Sequence, residues 1–137
     1  MNVIVDTSVW SLALRRARFV ETPDVAELRH LIGTGRVVML GPIRQELLSG
    51  VRIAEEFKRL RVTLQPFVDV PLVTEDYEAA ATCFNRCRAR GIQGSNTDFL
   101  ICAVSDRTGW PVFTTDKDFG QFAKVLSLRL HTRAARR

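Results

Sequence analysis

Apolar and polar positions along this chain fall into short solid runs separated by helical periodicities. Met1 to Val5, apolar but for Asn2, reads as a short buried strand, ended by Asp6. Thr7 to Leu14 reads as a helix. Thr22-Pro23-Asp24 has the chemistry of a helix start, with Thr as the cap and Pro in the first turn. Val25, Leu28, Leu31 and Ile32 then recur at helical spacing, and Gly33 and Gly35 close that element. Val37 to Leu40 is a second buried strand. Gly41-Pro42 opens a helix to about Ser49-Gly50, and an amphipathic stretch follows with Ile53, Phe57 and Leu60 on its apolar side. Phe67 to Val70 is a further short strand candidate. Thr74 is expected to cap a long helix whose first turn carries Glu75 and Asp76, where carboxylates suit the dipole. Tyr77, Ala80, Ala81, Phe84 and Cys87 form its expected buried stripe.

Gly91 to Ser95 carries turn chemistry. Phe99 to Val104 is apolar on every side, which predicts a helix in the middle of the domain, ended by Gly109-Trp110-Pro111. Pro111 to Thr114 reads as a strand, Asp116 to Lys124 as a short helical turn and Val125 to Leu130 as a last strand. Strands alternating with helices predict an α/β fold, with a mostly parallel sheet of about five strands covered on both faces. The 137 residues amount to one domain. Residues 1–132 are assigned to it and 133–137, with Arg133, Arg136 and Arg137, to a basic tail.

Charge sharpens this picture. Lys plus Arg number 20 against 15 Asp plus Glu, a net charge of +5, which favours a polyanionic partner, nucleic acid ahead of a membrane surface. No apolar run approaches the ~20 residues of a bilayer span. The first apolar stretch lacks a preceding basic segment and is broken by Asp6, unlike a signal peptide. Cys83, Cys87 and Cys102 cannot all pair within one chain, so all three are expected as buried reduced thiols and the compartment as the cytoplasm.

The candidate chemistry lies in the acids. In open parallel sheets, sites gather beyond the carboxyl ends of the strands. Asp6 follows Val3-Ile4-Val5, and Asp116 follows Val112-Phe113-Thr114-Thr115. Two strands therefore deliver a carboxylate to the same edge. Glu46 lies on the helix after the second strand, about 60° from Ile43 and so beside its apolar seam. Asp98 opens the all-apolar helix. Each acid also has a structural reading: Asp6 and Asp98 as helix-start residues, Glu46 as a surface residue, Asp116 and Asp118 as turn formers. Capping alone does not explain acids at the ends of two separate strands. Like charges about 4 Å apart repel by roughly 4 kcal/mol at an effective dielectric of 20, and one or two divalent cations with oxygen ligands remove the conflict. Such an ion acidifies a water that can attack a phosphodiester. His30 and His131 are far apart and outside any motif, so histidine catalysis and a Cys/His zinc site are not indicated. Ser8, two residues past Asp6, is placed to orient a carboxylate or a water.

These residues resemble the motifs of PIN-domain ribonucleases. Val5-Asp6-Thr7-Ser8-Val9-Trp10 is similar to the family's opening motif, and Glu46-Leu47 after Gly41-Pro42 to its second. Asp98-Phe99-Leu100-Ile101-Cys102-Ala103-Val104 resembles the third, and Thr114-Thr115-Asp116-Lys117-Asp118-Phe119 the fourth. Size and single-domain layout are similar to VapC-type toxins of toxin–antitoxin pairs. The resemblance implies a PIN-like three-layer α/β/α fold with the first and fourth strands side by side. It implies Mg²⁺- or Mn²⁺-dependent RNA hydrolysis, with metal ligation by Asp6, Glu46, Asp98 and Asp116 and hydrogen-bonded support from Thr114 or Ser8. Asp118 matches a variable position, either a contact behind the ligands or the cap of the turn before Phe119. A homodimer is implied, and a cognate antitoxin whose tail covers the active site. Cys102 stands where a small Ala is common, a conservative change.

Arg15, Arg16 and Arg18 after the first helix, and Arg86, Arg88 and Arg90 at the end of the long one, are candidates to hold RNA phosphates. The alternatives are solvated surface or cations favoured at a helix C-terminus. Two rival readings of the whole chain remain. One is an aspartyl-phosphate enzyme on a similar sheet, although Ser8 occupies the position where dehalogenase-like phosphatases want a second Asp. The other is a catalytically silent RNA-binding or protein-docking module.

Overall fold

The computed structural model describes residues 1–14 and 21–133. Its centre is β1 (Val3–Val5), every residue of which is buried. On one side β1 pairs in parallel with β2 (Val37–Val38), Val3 against Val37 and Ile4 against Val38. On the other it pairs in parallel with β3 (Val112–Phe113), Ile4 against Val112 and Val5 against Phe113. The strand order is therefore β2-β1-β3. β-branched residues buried on both faces suit such a parallel sheet. The expected five strands reduce to these three plus two single parallel bridges, Met39 to Asp69 and Val112 to Leu130. Phe67–Val70 and Val125–Leu130 thus occupy the edges without forming strands. Val125 and Leu126 are instead turned back onto Phe122 by backbone hydrogen bonds of 3.0 and 2.8 Å.

Two groups of helices cover the sheet. In the first, α1 (Thr7–Leu14) packs on α2 (Pro23–Gly33) and on α3 (Gly41–Leu48), which in turn packs on α4 (Ala54–Leu64). Thr22 caps α2 as expected, its hydroxyl accepting the Val25 N–H at 3.2 Å. The apolar side read onto α4 is only partly covered: Ile53 and Phe57 are exposed, and Leu64 alone is fully buried.

The second group is α5 (Thr74–Ala89) along α6 (Asn96–Thr108). Residues Phe99 to Ser105 of α6 are all buried, as an all-apolar run demands. Gly109 ends α6 with φ of 77° and returns its N–H to Ser105 O at 2.8 Å, the left-handed termination that glycine makes without strain. Thr74 does not cap α5. Val73 holds that position, and Asp76 reaches back to its N–H at 3.0 Å. The buried stripe of α5 is correspondingly rotated: Asp76, Ala80 and Cys87 are buried, Phe84 and Cys83 half-buried, and Tyr77 and Ala81 exposed. Cys83 is thus less covered than expected, and all three cysteines are free. The last helix, α7 (Asp118–Phe122), sets Phe122 against Phe99 and Phe119 against Phe122, and so closes the core. Gly94 lies flat on these rings, since a Cβ there would stand 2.5 Å from Phe122 Cζ.

Polar pairs absent from the sequence reading tie elements together. Asp76 is buried, and its Oδ1 accepts from Arg107 Nε at 2.6 Å. Glu27 and His131 meet at 2.6 Å, joining α2 to the segment after the last bridge. Arg133, first residue of the expected tail, meets Asp24 at 3.2 Å. Among the described residues no helix is long and apolar enough to cross a membrane.

Burial pushes the Asp76 carboxyl up, but the Val73 N–H and the Arg107 guanidinium more than offset it, and its pKa lies below the ordinary value. A lowered pKa contributes stability above the unfolded value, and that contribution is lost as pH falls through the folded one. Asp76→Ala is therefore expected to cost about 2 kcal/mol at pH 7, with the deficit shrinking in acid. Urea unfolding at the two pH values checks both the size and the sign.

Candidate active site

In-register parallel strands finish together. Asp6 and Thr114 follow β1 and β3 by one position and Leu40 follows β2 by two, which the register sets level with one another, and the Asp6 N–H extends the β1–β3 ladder to Phe113 O at 2.9 Å. The sheet thus sets Asp6 beside Thr114 and starts α3 just past Leu40. A cavity of about 640 Å³ opens at this edge, lined by Asp6, Thr7, Ser8, Pro42, Gln45, Glu46, Ser49, Thr97, Asp98 and Asp116. All four acids singled out in the sequence meet there.

Each acid is held by its own partners. Asp6 is 4% exposed, and burial of a polar group demands hydrogen bonds. The Ser8 and Thr114 hydroxyls each donate to its Oδ2 at 2.8 Å. Those hydroxyls in turn accept the N–H groups of Thr115 and Asp116, both at 3.0 Å. Both serve Asp6, where the family resemblance offered either. Every side-chain bond to Asp6 among the described residues falls on Oδ2, so Oδ1 keeps its lone pairs for the cleft.

Asp98 both caps a helix and faces the cleft. Its Oδ2 accepts the Ser95 N–H at 3.0 Å while Ser95 Oγ accepts the Asp98 N–H at 3.1 Å, a reciprocal start to α6. The helix-start reading of this acid is thus seen directly, and its place at the cavity is compatible with it. Asp116 Oδ1 accepts the Asp118 N–H at 2.9 Å. The Asp118 side chain is exposed and outside the cavity lining, so this residue acts on Asp116 through its backbone. Glu46 is exposed at the rim, with its Oε1 accepting from Thr7 Oγ1 at 2.6 Å.

Among the described residues no Lys or Arg lines the cavity. Arg86 donates to Val125 O at 2.9 Å, Arg88 lies over the Phe84 ring at 5.8 Å, and Arg90 is exposed. Arg15, Arg16 and Arg18 lie outside the described residues. His30 is exposed and His131 is engaged with Glu27. Sequence reasoning did not single out Thr7, Gln45, Ser49 or Thr97. Thr7 had a signal in its position between Asp6 and Ser8, and Gln45 and Ser49 flank Glu46 on the same helix end.

Burial raises the Asp98 carboxyl above its ordinary pKa, and the Asp6 and Asp116 carboxyls add to the rise against the lowering by Ser95. Burial is the larger cause of the rise, and the like charge of the neighbouring acids is a smaller one. The donors are hard oxygens with neither imidazole nor thiolate among them, which suits Mg²⁺ or Mn²⁺. No three acidic, histidine or cysteine side chains among the described residues close into a ready-made cage. An ion that keeps several waters and takes few protein ligands fits such an open rim.

A model of the PIN domain matches residues 3–125. No curated protein matches the chain significantly. Among solved structures, FitAcB from Neisseria gonorrhoeae is similar at 20% identity and a TM-score of 0.75, covering 96% of this chain and 97% of that one. VapBC2 from Rickettsia felis, bound to a DNA fragment from its promoter, is similar at 14% identity and a TM-score of 0.76, covering 96% and 98%. FitAB bound to an IR36 DNA fragment is similar at 19% identity and a TM-score of 0.74, covering 94% and 93%.

A raised folded-state pKa favours folding below the unfolded value, and that preference disappears as pH rises through the folded one. Replacing the charge relieves the crowding at neutral pH, and Asn keeps the acceptor for the Ser95 N–H. Asp98→Asn in chelator at pH 7 is therefore expected to melt at the wild-type temperature or roughly a few degrees above it. Calorimetric scans check this, and a clear drop in Tm would contradict like-charge crowding.

Proposed function

The chain belongs to the PIN-domain family, and from that premise we propose that it is a metal-dependent endoribonuclease, the toxin of a VapBC-type toxin–antitoxin pair. PIN domains are generally nucleases. The observation that carries the reading is the convergence of Asp6, Glu46, Asp98 and Asp116, distant in sequence, on one cavity. These four would hold one or two Mg²⁺ or Mn²⁺ ions. When bound, such an ion supplies an acidified water as nucleophile and offsets charge on the leaving oxygen of a phosphodiester.

The chain's own residues supply the positioning. Ser8 and Thr114 fix the Asp6 carboxylate through Oδ2 and leave Oδ1 without a bond among the described residues. Ser95 holds one oxygen of Asp98 and leaves the other. Asp118, through its N–H, steadies Asp116. Gln45, Ser49 and Thr97 line the same cavity and offer neutral polar contacts to a sugar or base. Arg15 and Arg16, following the helix whose first residues line the cleft, are assigned to the RNA backbone, with Arg86, Arg88 and Arg90 as a second patch outside it. The net charge of +5 agrees with such a substrate. The similar VapBC2 and FitAB structures are toxin–antitoxin complexes, which supports an antitoxin partner. A homodimer and a cytoplasmic location complete the proposal.

Incubation with total RNA, with and without Mg²⁺ or Mn²⁺, followed by mapping of cut ends, tests it. Cleavage is expected only with the metal. Asp6→Asn and Asp98→Asn are each expected to lower it by at least about a hundredfold while remaining folded. Undiminished cleavage by both variants would sink the acid-cluster reading. Hydrolysis of a small phosphomonoester without RNA cleavage would favour the aspartyl-phosphate alternative.

A further inference from the structure

The four acids are not held alike. Asp6 and Asp116 follow strand ends and Asp98 sits in a helix's first turn, and each takes a hydrogen bond from the backbone N–H of a residue two or three positions away. Glu46 is exposed on α3, has a longer side chain, and has no such local bond among the described residues. A flexible carboxylate of this kind samples many rotamers, most of them away from a common point. Its bond comes from Thr7 Oγ1, 39 residues away, at 2.6 Å, within the range of a hydroxyl donating to a charged oxygen. Thr7 is itself rigidly placed, following Asp6 at the end of the central strand and opening α1. Its hydroxyl makes no other hydrogen bond among the described residues, so capping of α1 does not account for it.

We infer that Thr7 is a positioning residue whose hydroxyl locks the Glu46 carboxylate into the acid-lined cleft before a divalent cation arrives. The bond engages Oε1, and Oε2 takes no other bond among the described residues. The inference rests on the proposed metal-dependent reading. It adds the claim that the fourth acid is recruited from the neighbouring helix by a residue of the first motif. Without that hydroxyl, Glu46 remains part of the chain but not part of the site.

Calorimetric Mn²⁺ titration of the intact protein tests it without relying on turnover. Thr7→Val keeps the shape and removes the donor, and about tenfold weaker Mn²⁺ binding is expected. Thr7→Ser returns the donor and is expected to restore the affinity to within about twofold of wild type. On a Glu46→Gln background, Thr7→Val is expected to add less than about twofold, because the interaction it removes is already altered. Wild-type affinity in Thr7→Val alongside weakened binding in Glu46→Gln would overturn the role of Thr7 alone. A full tenfold loss on the Glu46→Gln background would overturn it equally. No Mn²⁺ uptake by the wild type would overturn the proposed function and this inference together, so the two failures are read apart. Melting curves in chelator verify folding, and Thr7→Ala replaces Thr7→Val in the same comparison if the latter does not fold.

Discussion

A carboxyl group buried at the end of the central strand has to be met by hydrogen bonds, and at Asp6 those bonds join β1 to the turn after β3. Leaving such a group unpaired costs several kcal/mol. The Ser8 and Thr114 hydroxyls therefore do more than orient one acid. They make the ends of two parallel strands and the start of α1 a single hydrogen-bonded unit. Asp116 is part of that unit, because its N–H rests on the Thr114 hydroxyl. The register of the short strands matters to the site, since a one-residue shift would separate Asp6 from Thr114.

Around this unit the molecule accumulates like charge. Burial and the neighbouring carboxyls raise Asp98, while the Ser95 cap holds it in place against that repulsion. The site is thus less comfortable for the fold than neutral residues would be, a common feature of sites built for a ligand of opposite charge. Stability is secured elsewhere. The fully buried run of α6, the aromatic contacts of Phe99, Phe119 and Phe122, and the Asp76–Arg107 pair lie among the elements that carry Asp98 and Asp116.

What the sequence disclosed follows from how local the physics was. β1, the helix after Thr22 and the all-apolar α6 depend on short patterns of burial and capping, and they stand where the pattern puts them. Asp6 and Asp116 were legible because strand ends in a parallel sheet share an edge. Edge strands were not: Asp69 and Leu130 each keep one bridge, since backbone at an edge can turn away without exposing a core. The rotation of α5 escaped because a buried polar residue, Asp76, displaces Tyr77 from the stripe, and its partner Arg107 lies 31 residues on. The same holds for Thr7, whose acceptor is on another helix. Long-range polar pairing leaves little periodic trace in a sequence.

One or two divalent ions would offset the charge gathered at this edge. Anomalous diffraction from crystals of the protein soaked in Mn²⁺ tests that most directly. The account predicts a peak in the cleft within about 2.0–2.5 Å of carboxylate oxygens of Asp6 and of Asp98 or Asp116. A cleft empty of anomalous signal in intact, Mn²⁺-saturated crystals, with these carboxylates unmoved, would contradict it.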